Sequence, residues 1–129
     1  IEDAEAALEA MTNFRLAEAA LQRNDVDGAL RLAQKAVDGD PTQGDYVALL
    51  AWVRALGGNP TAMEEAIATM GTVLSEDPTN ERALLYRGKL LVRTNRFQEA
   101  LRDFDELLAG NPHHREAANE LRLLKQRMS

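Results

Sequence analysis

No cysteine occurs among the 129 residues, which removes disulfides, zinc knuckles, iron–sulfur centres and thiol nucleophiles from consideration. The gap does not fix a compartment, because secreted proteins also do without cysteine. Catalytic side chains are almost as scarce. There are two serines, Ser75 and Ser129, and two histidines, His113 and His114, so no nucleophile, base and orienting acid can be assembled. Aromatic residues make up 5% of the chain, with Trp52 the sole tryptophan. Long apolar runs are missing, and stretches such as Ala66 to Ser75 are far too short to cross a bilayer. A basic excess is missing too. The net charge of −6 speaks against a nucleic-acid or anionic-membrane surface spread over the whole molecule.

What is present suffices for a packed domain. Hydrophobic residues reach 45% and charged ones 28%, so a disordered chain is not expected. The opening Ile1, Glu2, Asp3 and Glu5 is the reverse of a basic signal-peptide start. Starting without Met and stopping at Ser129, the sequence reads as a piece cut from a longer protein.

A period runs through it. Asp40-Pro41, Asp77-Pro78 and Asn111-Pro112 are separated by 37 and 34 residues. Twelve positions before each proline stands an alanine: Ala29, Ala66 and Ala100. Seven positions after each alanine comes Ala36, Val73 or Leu107, followed by Val37, Leu74 or Leu108. Between these marks the apolar spacing is helical, as in Leu30, Ala33, Val37 and in Leu101, Phe104, Leu108. Small residues upstream (Ala17, Ala51 and Gly88) form a second stripe. Ala17 to Ala29 and Gly88 to Ala100 span 12 residues, but Ala51 to Ala66 spans 15; the extra three belong to the Gly57-Gly58-Asn59-Pro60 breaker. Thr61 with Glu64 and Asn95 with Gln98 have capping-box spacing. The reading predicts helices near 3–23, 26–38, 44–57, 61–76, 80–94, 97–109 and 113–128, and no strand.

A helix–turn–helix unit of about 34 residues ending in proline resembles the tetratricopeptide repeat. The third segment carries the likeness best, through Leu84, Gly88, Leu91, Phe97, Ala100, Phe104 and Pro112. The first offers Leu16, Ala17, Val26, Ala29, Ala36 and Pro41; the second offers Leu50, Ala51, Ala66, Met70 and Pro78. The family's early tryptophan is replaced by Asn13, Val47 and Leu84, and its tyrosine by Ala20, Arg54 and Leu91. The resemblance implies an all-α, right-handed α-solenoid of about seven helices. Its expected parts are an acidic extension of the first helix (1–9), repeats at 10–43, 44–80 and 81–114, and a capping helix at 115–129. In the cap, Ala118, Leu121 and Leu124 are expected on the inner face. Physically, small facing side chains let paired helices approach, and stacked pairs then share one continuous core.

Other patterns have plainer explanations. Adjacent His113-His114 diverge at a helix start, whereas helical metal ligands favour i and i+4, so no metal is expected. Gly88-Lys89 lacks the rest of a phosphate loop. Glu64-Glu65 and Asp105-Glu106 diverge on their helices and read as solvated faces. Charge is unevenly placed: residues 1–80 hold 14 acids and 5 bases, residues 81–129 hold 7 acids and 10 bases. Composition noise explains that as well as steering of an asymmetric ligand or head-to-tail contact does.

The resemblance also implies a function. First helices of such repeats line a concave groove that holds a peptide or helix, here through Phe14, Glu18 and Leu21, then Ala48, Trp52 and Ala55, then Arg82, Leu85, Lys89 and Arg93. Trp52 is expected as anchor, by residue type, if it faces the groove and not the core. The subfamily that grips a carboxylate-ended chaperone tail is a poor match, since Phe14, Glu18, Leu49 and Tyr86 stand where its other clamp groups belong. The expectation is a non-catalytic protein–protein interaction module. It would serve as the scaffold or adaptor arm of a larger bacterial, cytoplasmic protein, without cofactor, nucleic acid or membrane insertion. Alternatives are a secretion-type three-repeat chaperone and a self-assembly module using oppositely charged ends.

Overall fold

A computed structural model describes residues 2–129; Ile1, the first residue of the expected acidic extension, lies outside the described part. Seven helices follow one another: α1 (Glu2–Gln22), α2 (Val26–Gly39), α3 (Gly44–Ala55), α4 (Pro60–Glu76), α5 (Glu81–Arg93), α6 (Phe97–Gly110) and α7 (Arg115–Met128). No strand occurs among the described residues. Each helix packs on the next in the chain, α1 on α2 most extensively, while α5 also touches α3 and α7. The result is an all-α solenoid in which α1 and α7 stand at opposite ends.

The three proline turns are the same turn built three times. Asp40, Asp77 and Asn111 end α2, α4 and α6, their N–H groups donating to the carbonyls of Ala36, Val73 and Leu107 at 3.0, 2.9 and 2.9 Å. The Asp40 carboxylate then accepts from Thr42 N–H and Oγ1 at 3.2 and 2.6 Å; Asp77 does the same for Thr79 at 3.3 and 3.0 Å. These bonds, with one from Gln43, favour the ionised form and hold the Asp40 carboxyl below its ordinary pKa.

Turns inside the hairpins follow another rule. Asn24 and Asn95 take left-handed conformations, with φ of 62° and 61°. The next residue's N–H reaches back to Ala20 at 2.9 Å in the first case and to Leu91 at 2.8 Å in the other, the closure of a Schellman-type helix end. In the second hairpin, Gly58 with φ of 80° provides the left-handed step. The capping expectations need correction here. Asn95 is the left-handed residue, and α6 starts one position later with Arg96 at its N-cap. Thr61 does not cap α4 either: Asn59 accepts from Ala62 N–H at 3.0 Å, with Pro60 opening the helix. Glu64 instead pairs with Arg96 across to the α5–α6 turn.

One core runs the length of the molecule. The stripe of Ala17, Ala29, Ala51, Ala66, Gly88 and Ala100 is buried throughout, whereas Leu16 beside it is exposed. Gly88 works differently from the alanines. A Cβ there would lie 2.5 Å from the Phe104 ring, so its missing side chain is the notch that seats a fully buried phenyl group. Beside it, Arg87 donates twice to Asp103, Nε to Oδ2 at 2.8 Å and Nη2 to Oδ1 at 2.7 Å. Asp103, 4% exposed, is the only buried charged residue among those described. Its hydrogen bond, outweighing burial, raises the Arg87 pKa above the ordinary guanidinium value. On α7 the buried alanine is Ala117, with Leu124; Ala118, expected inside, is exposed.

Candidate partner-binding groove

The helices α1, α3, α5 and α7 meet along one side of the stack and enclose a groove of about 600 Å³. Its floor is aromatic. The Trp52 indole stacks on the Tyr86 ring, centroids 4.9 Å apart and planes within 9°. Lys89 Nζ sits 4.9 Å from the indole centroid and the Arg93 guanidinium 5.1 Å from it, which places two cations over one ring. Leu21 and Leu56 add apolar wall, and Glu18 and Glu116 stand at the rim. Trp52 is only 5% exposed, so it belongs to the core and to the groove floor at once. Burial pushes the Tyr86 phenol up to about 12, because a phenolate there would lose its water.

Of the residues expected from sequence, Glu18, Leu21, Trp52 and Lys89 converge on this cavity, and Arg93 overhangs it through the indole. Ala48 and Ala55 are wholly buried, and Leu85 is nearly so; they pack the seams between helices and offer a ligand no surface. Phe14 is buried as well, its ring 4.8 Å from that of Tyr46 and covered at 4.8 Å by the Arg82 guanidinium.

Arg82 ties three helices together. Its guanidinium reaches Glu18 on α1 at 2.9 Å and Asp45 on α3 at 3.1 Å, while Asn80 donates to Asp45 at 2.9 Å. Burial opposes the Arg82 charge, but the Glu18 hydrogen bond and the two carboxylates outweigh it and raise the pKa. Lys89 is engaged too, at 2.7 Å from Glu116. Arg93 is exposed and has no carboxylate partner among the described residues. The groove therefore offers an apolar, aromatic floor whose cations are mostly neutralised, with one free positive charge at Arg93.

Six lining residues were missed by the sequence reading: Gln22, Asn24 and Val26 around the α1–α2 turn, and Tyr86, Glu116 and Leu56. Tyr86 lies three residues before Lys89, hence on the same side of α5. Glu116 stands 34 residues after Arg82, one repeat on, but α7 is read from sequence only as a lid. Leu56, just past α3, stands five residues after Ala51 as Arg93 does after Gly88, a repeat position that the reading filled only in the third segment. His114 has a structural task instead: its Nδ1 accepts from Ala117 N–H at 3.1 Å and caps α7. No group of three or more potential metal-binding side chains is found among the described residues. No described helix is long and apolar enough to cross a membrane.

Known structures share this architecture. The first repeat domain of Spaghetti (RPAP3) bound to the HSP90 peptide SRMEEVD superposes with a TM-score of 0.78 at 20% identity, over 95% of this chain and 97% of that one. The Arabidopsis OM64 domain gives 0.76 at 19%, over 95% and 98%. PilF of Pseudomonas aeruginosa gives 0.77 at 25%, over 99% of this chain but 56% of its own length. No curated protein matches the sequence. Two family models, both described as tetratricopeptide repeat, match residues 14–62 and 62–124, jointly spanning the groove-forming helices from within α1 to within α7. With seven helices, three recurrent proline turns and both models in agreement, the chain belongs to the tetratricopeptide repeat family.

Proposed function

We propose that the chain is a non-catalytic interaction module that holds an amphipathic segment of a partner protein against the Trp52–Tyr86 floor, with an acidic side chain of that segment paired to Arg93. The carrying observation is the free Arg93 guanidinium beside an aromatic floor whose other cation, Lys89, is already satisfied by Glu116. On this reading residues 10–43, 44–80 and 81–114 are three hairpins, and 115–129 both caps the stack and closes the groove through Glu116. The role is that of a cytoplasmic scaffold or adaptor arm.

The related domain of Spaghetti holds an HSP90 peptide. Here the same kind of acidic tail is disfavoured, because Glu18 and Asp45 occupy Arg82 and would repel further carboxylates. Selection of a random peptide library on the immobilised chain should enrich apolar sequences with an acid near one end. Arg93→Glu should weaken the selected peptides about tenfold, as loss of one charge-assisted contact does. Gln22→Trp, an exposed position at the groove mouth, should block them by filling the space. Unchanged binding in both variants would remove the groove from the reading.

A further inference from the structure

The two ends of the stack carry apolar strips flanked by opposite charge. At one end, Glu5, Leu8, Glu9, Thr12 and Leu16 recur at three- and four-residue intervals, so they share one side of α1. All five are exposed, Leu8 by 59% and Leu16 by 48%, on the side turned away from buried Ala10, Phe14 and Ala17. Glu2, Asp3, Glu5 and Glu9 have no basic partner among the described residues, and residues 2–9 contain no base. At the other end, Ala118, Leu121, Arg122 and Lys125 recur at the same intervals on α7. With Leu108 of α6 they line an open cavity of about 490 Å³ with an apolar floor. Arg122 donates only to neutral Asn119, and neither it nor Lys125 meets a carboxylate among the described residues.

We infer that the chain associates head to tail, the acidic outer side of α1 in one copy seating Leu8 in the basic apolar cavity of α7 in the next. The occupant is a second copy because charge and shape agree. The cavity combines an apolar floor with unpaired cations; the strip on α1 combines exposed leucines with unpaired carboxylates. Neither end can satisfy the other within one molecule, since α1 and α7 lie at opposite ends of the stack. The two patches differ, so the contact is heterologous and propagates into rings or short filaments instead of stopping at a symmetric dimer. The partner-binding groove remains open on the side of the stack, so this inference does not depend on the proposed function.

Sedimentation velocity of the full chain tests it. Association should appear as concentration rises at low salt, and weaken about tenfold between roughly 0.03 and 0.5 M salt as the charges are screened. The head variant Glu5→Gln/Leu8→Gln/Glu9→Gln changes only exposed residues, as does the tail variant Arg122→Gln/Lys125→Gln. Both should keep the wild-type helical signal and sediment as monomers. An equimolar mixture retains one native head and one native tail, and should form a dimer that grows no further. A wild type that stays monomeric at low salt overturns the inference. So does a head variant that still dimerises, which would mean a symmetric tail-to-tail contact. Association unchanged by either variant would place the interface elsewhere and overturn it too.

Discussion

In the first hairpin α1 buries Ala10, Phe14, Ala17 and Ala20 while α2 buries Ala29, Ala33 and Ala36; in the third, Gly88 of α5 receives the Phe104 ring of α6 beside the Arg87–Asp103 pair. Both are antiparallel helix pairs closed by the same left-handed asparagine turn. In the alanine hairpin nearly every facing side chain is trimmed, so close approach is spread over the whole length. The third concentrates it at one notch, where a large ring fills space that a Cβ would occupy, and fixes the register with a bidentate ion pair. The alanine seam gains closeness but little directional information. The ring and ion pair specify one alignment, at the cost of depending on a few atoms.

The largest asymmetry should come from Asp103→Ala. It leaves Arg87, whose side chain is 28% exposed, without its partner, and should cost about 3 kcal/mol in urea unfolding. Nothing in the first hairpin offers an equivalent loss. The double variant Arg87→Met/Asp103→Leu should recover most of it, because the desolvation penalty disappears with both charges. A single variant within about 0.5 kcal/mol of wild type, the range of ordinary surface changes, would show that the pair contributes nothing. Next comes Gly88→Ala. Alanine is the better helix former by about 1 kcal/mol, yet the clash with Phe104 should still leave the variant about 1–2 kcal/mol less stable. Adding Phe104→Leu should then cost less than it does in the wild type, a coupling that a merely flexible glycine would not show.

These two hairpins were not equally legible in the sequence. Alanine recurrence at Ala29, Ala66 and Ala100 and the three X-Pro steps are local features with a fixed period, so helix order and the stacking principle follow from them directly. Helix ends were less legible. Asn95 and Thr61 carry capping-type side chains, but competition among adjacent candidates is decided by the turn, which needs φ above zero at Asn95 and starts α4 at Pro60. The Arg87–Asp103 pair left no readable trace, because two charged residues 16 positions apart become neighbours only once α5 and α6 are aligned. The same holds for the groove. Glu18, Trp52 and Lys89, each one residue after the small position, follow the repeat and were found. Phe14, Ala48 and Leu85, each three residues before it, are all buried, and periodicity groups them without saying which neighbouring helix covers that side. Arg82, whose basic charge suggests a ligand contact, is instead spent on Glu18 and Asp45, carboxylates 64 and 37 residues away.

The smallest expected effect sharpens the comparison by locating where the hairpins do not differ. Asn24 and Asn95 occupy the same place in the first and third turns, with φ values one degree apart and closing hydrogen bonds of 2.9 and 2.8 Å. An alanine at either site must place its Cβ in a left-handed conformation, at a cost of about 1 kcal/mol, while glycine should be neutral within a few tenths. Asn24→Ala and Asn95→Ala should therefore shift the urea midpoint by similar amounts and leave the slope unchanged. Equal costs would confine the contrast between hairpins to the faces where their helices meet. If Asn95→Ala cost twice as much as Asn24→Ala, the ring and ion pair would be transmitting strain into the turn, and the third hairpin would have to be treated as one coupled unit from Arg87 to Phe104.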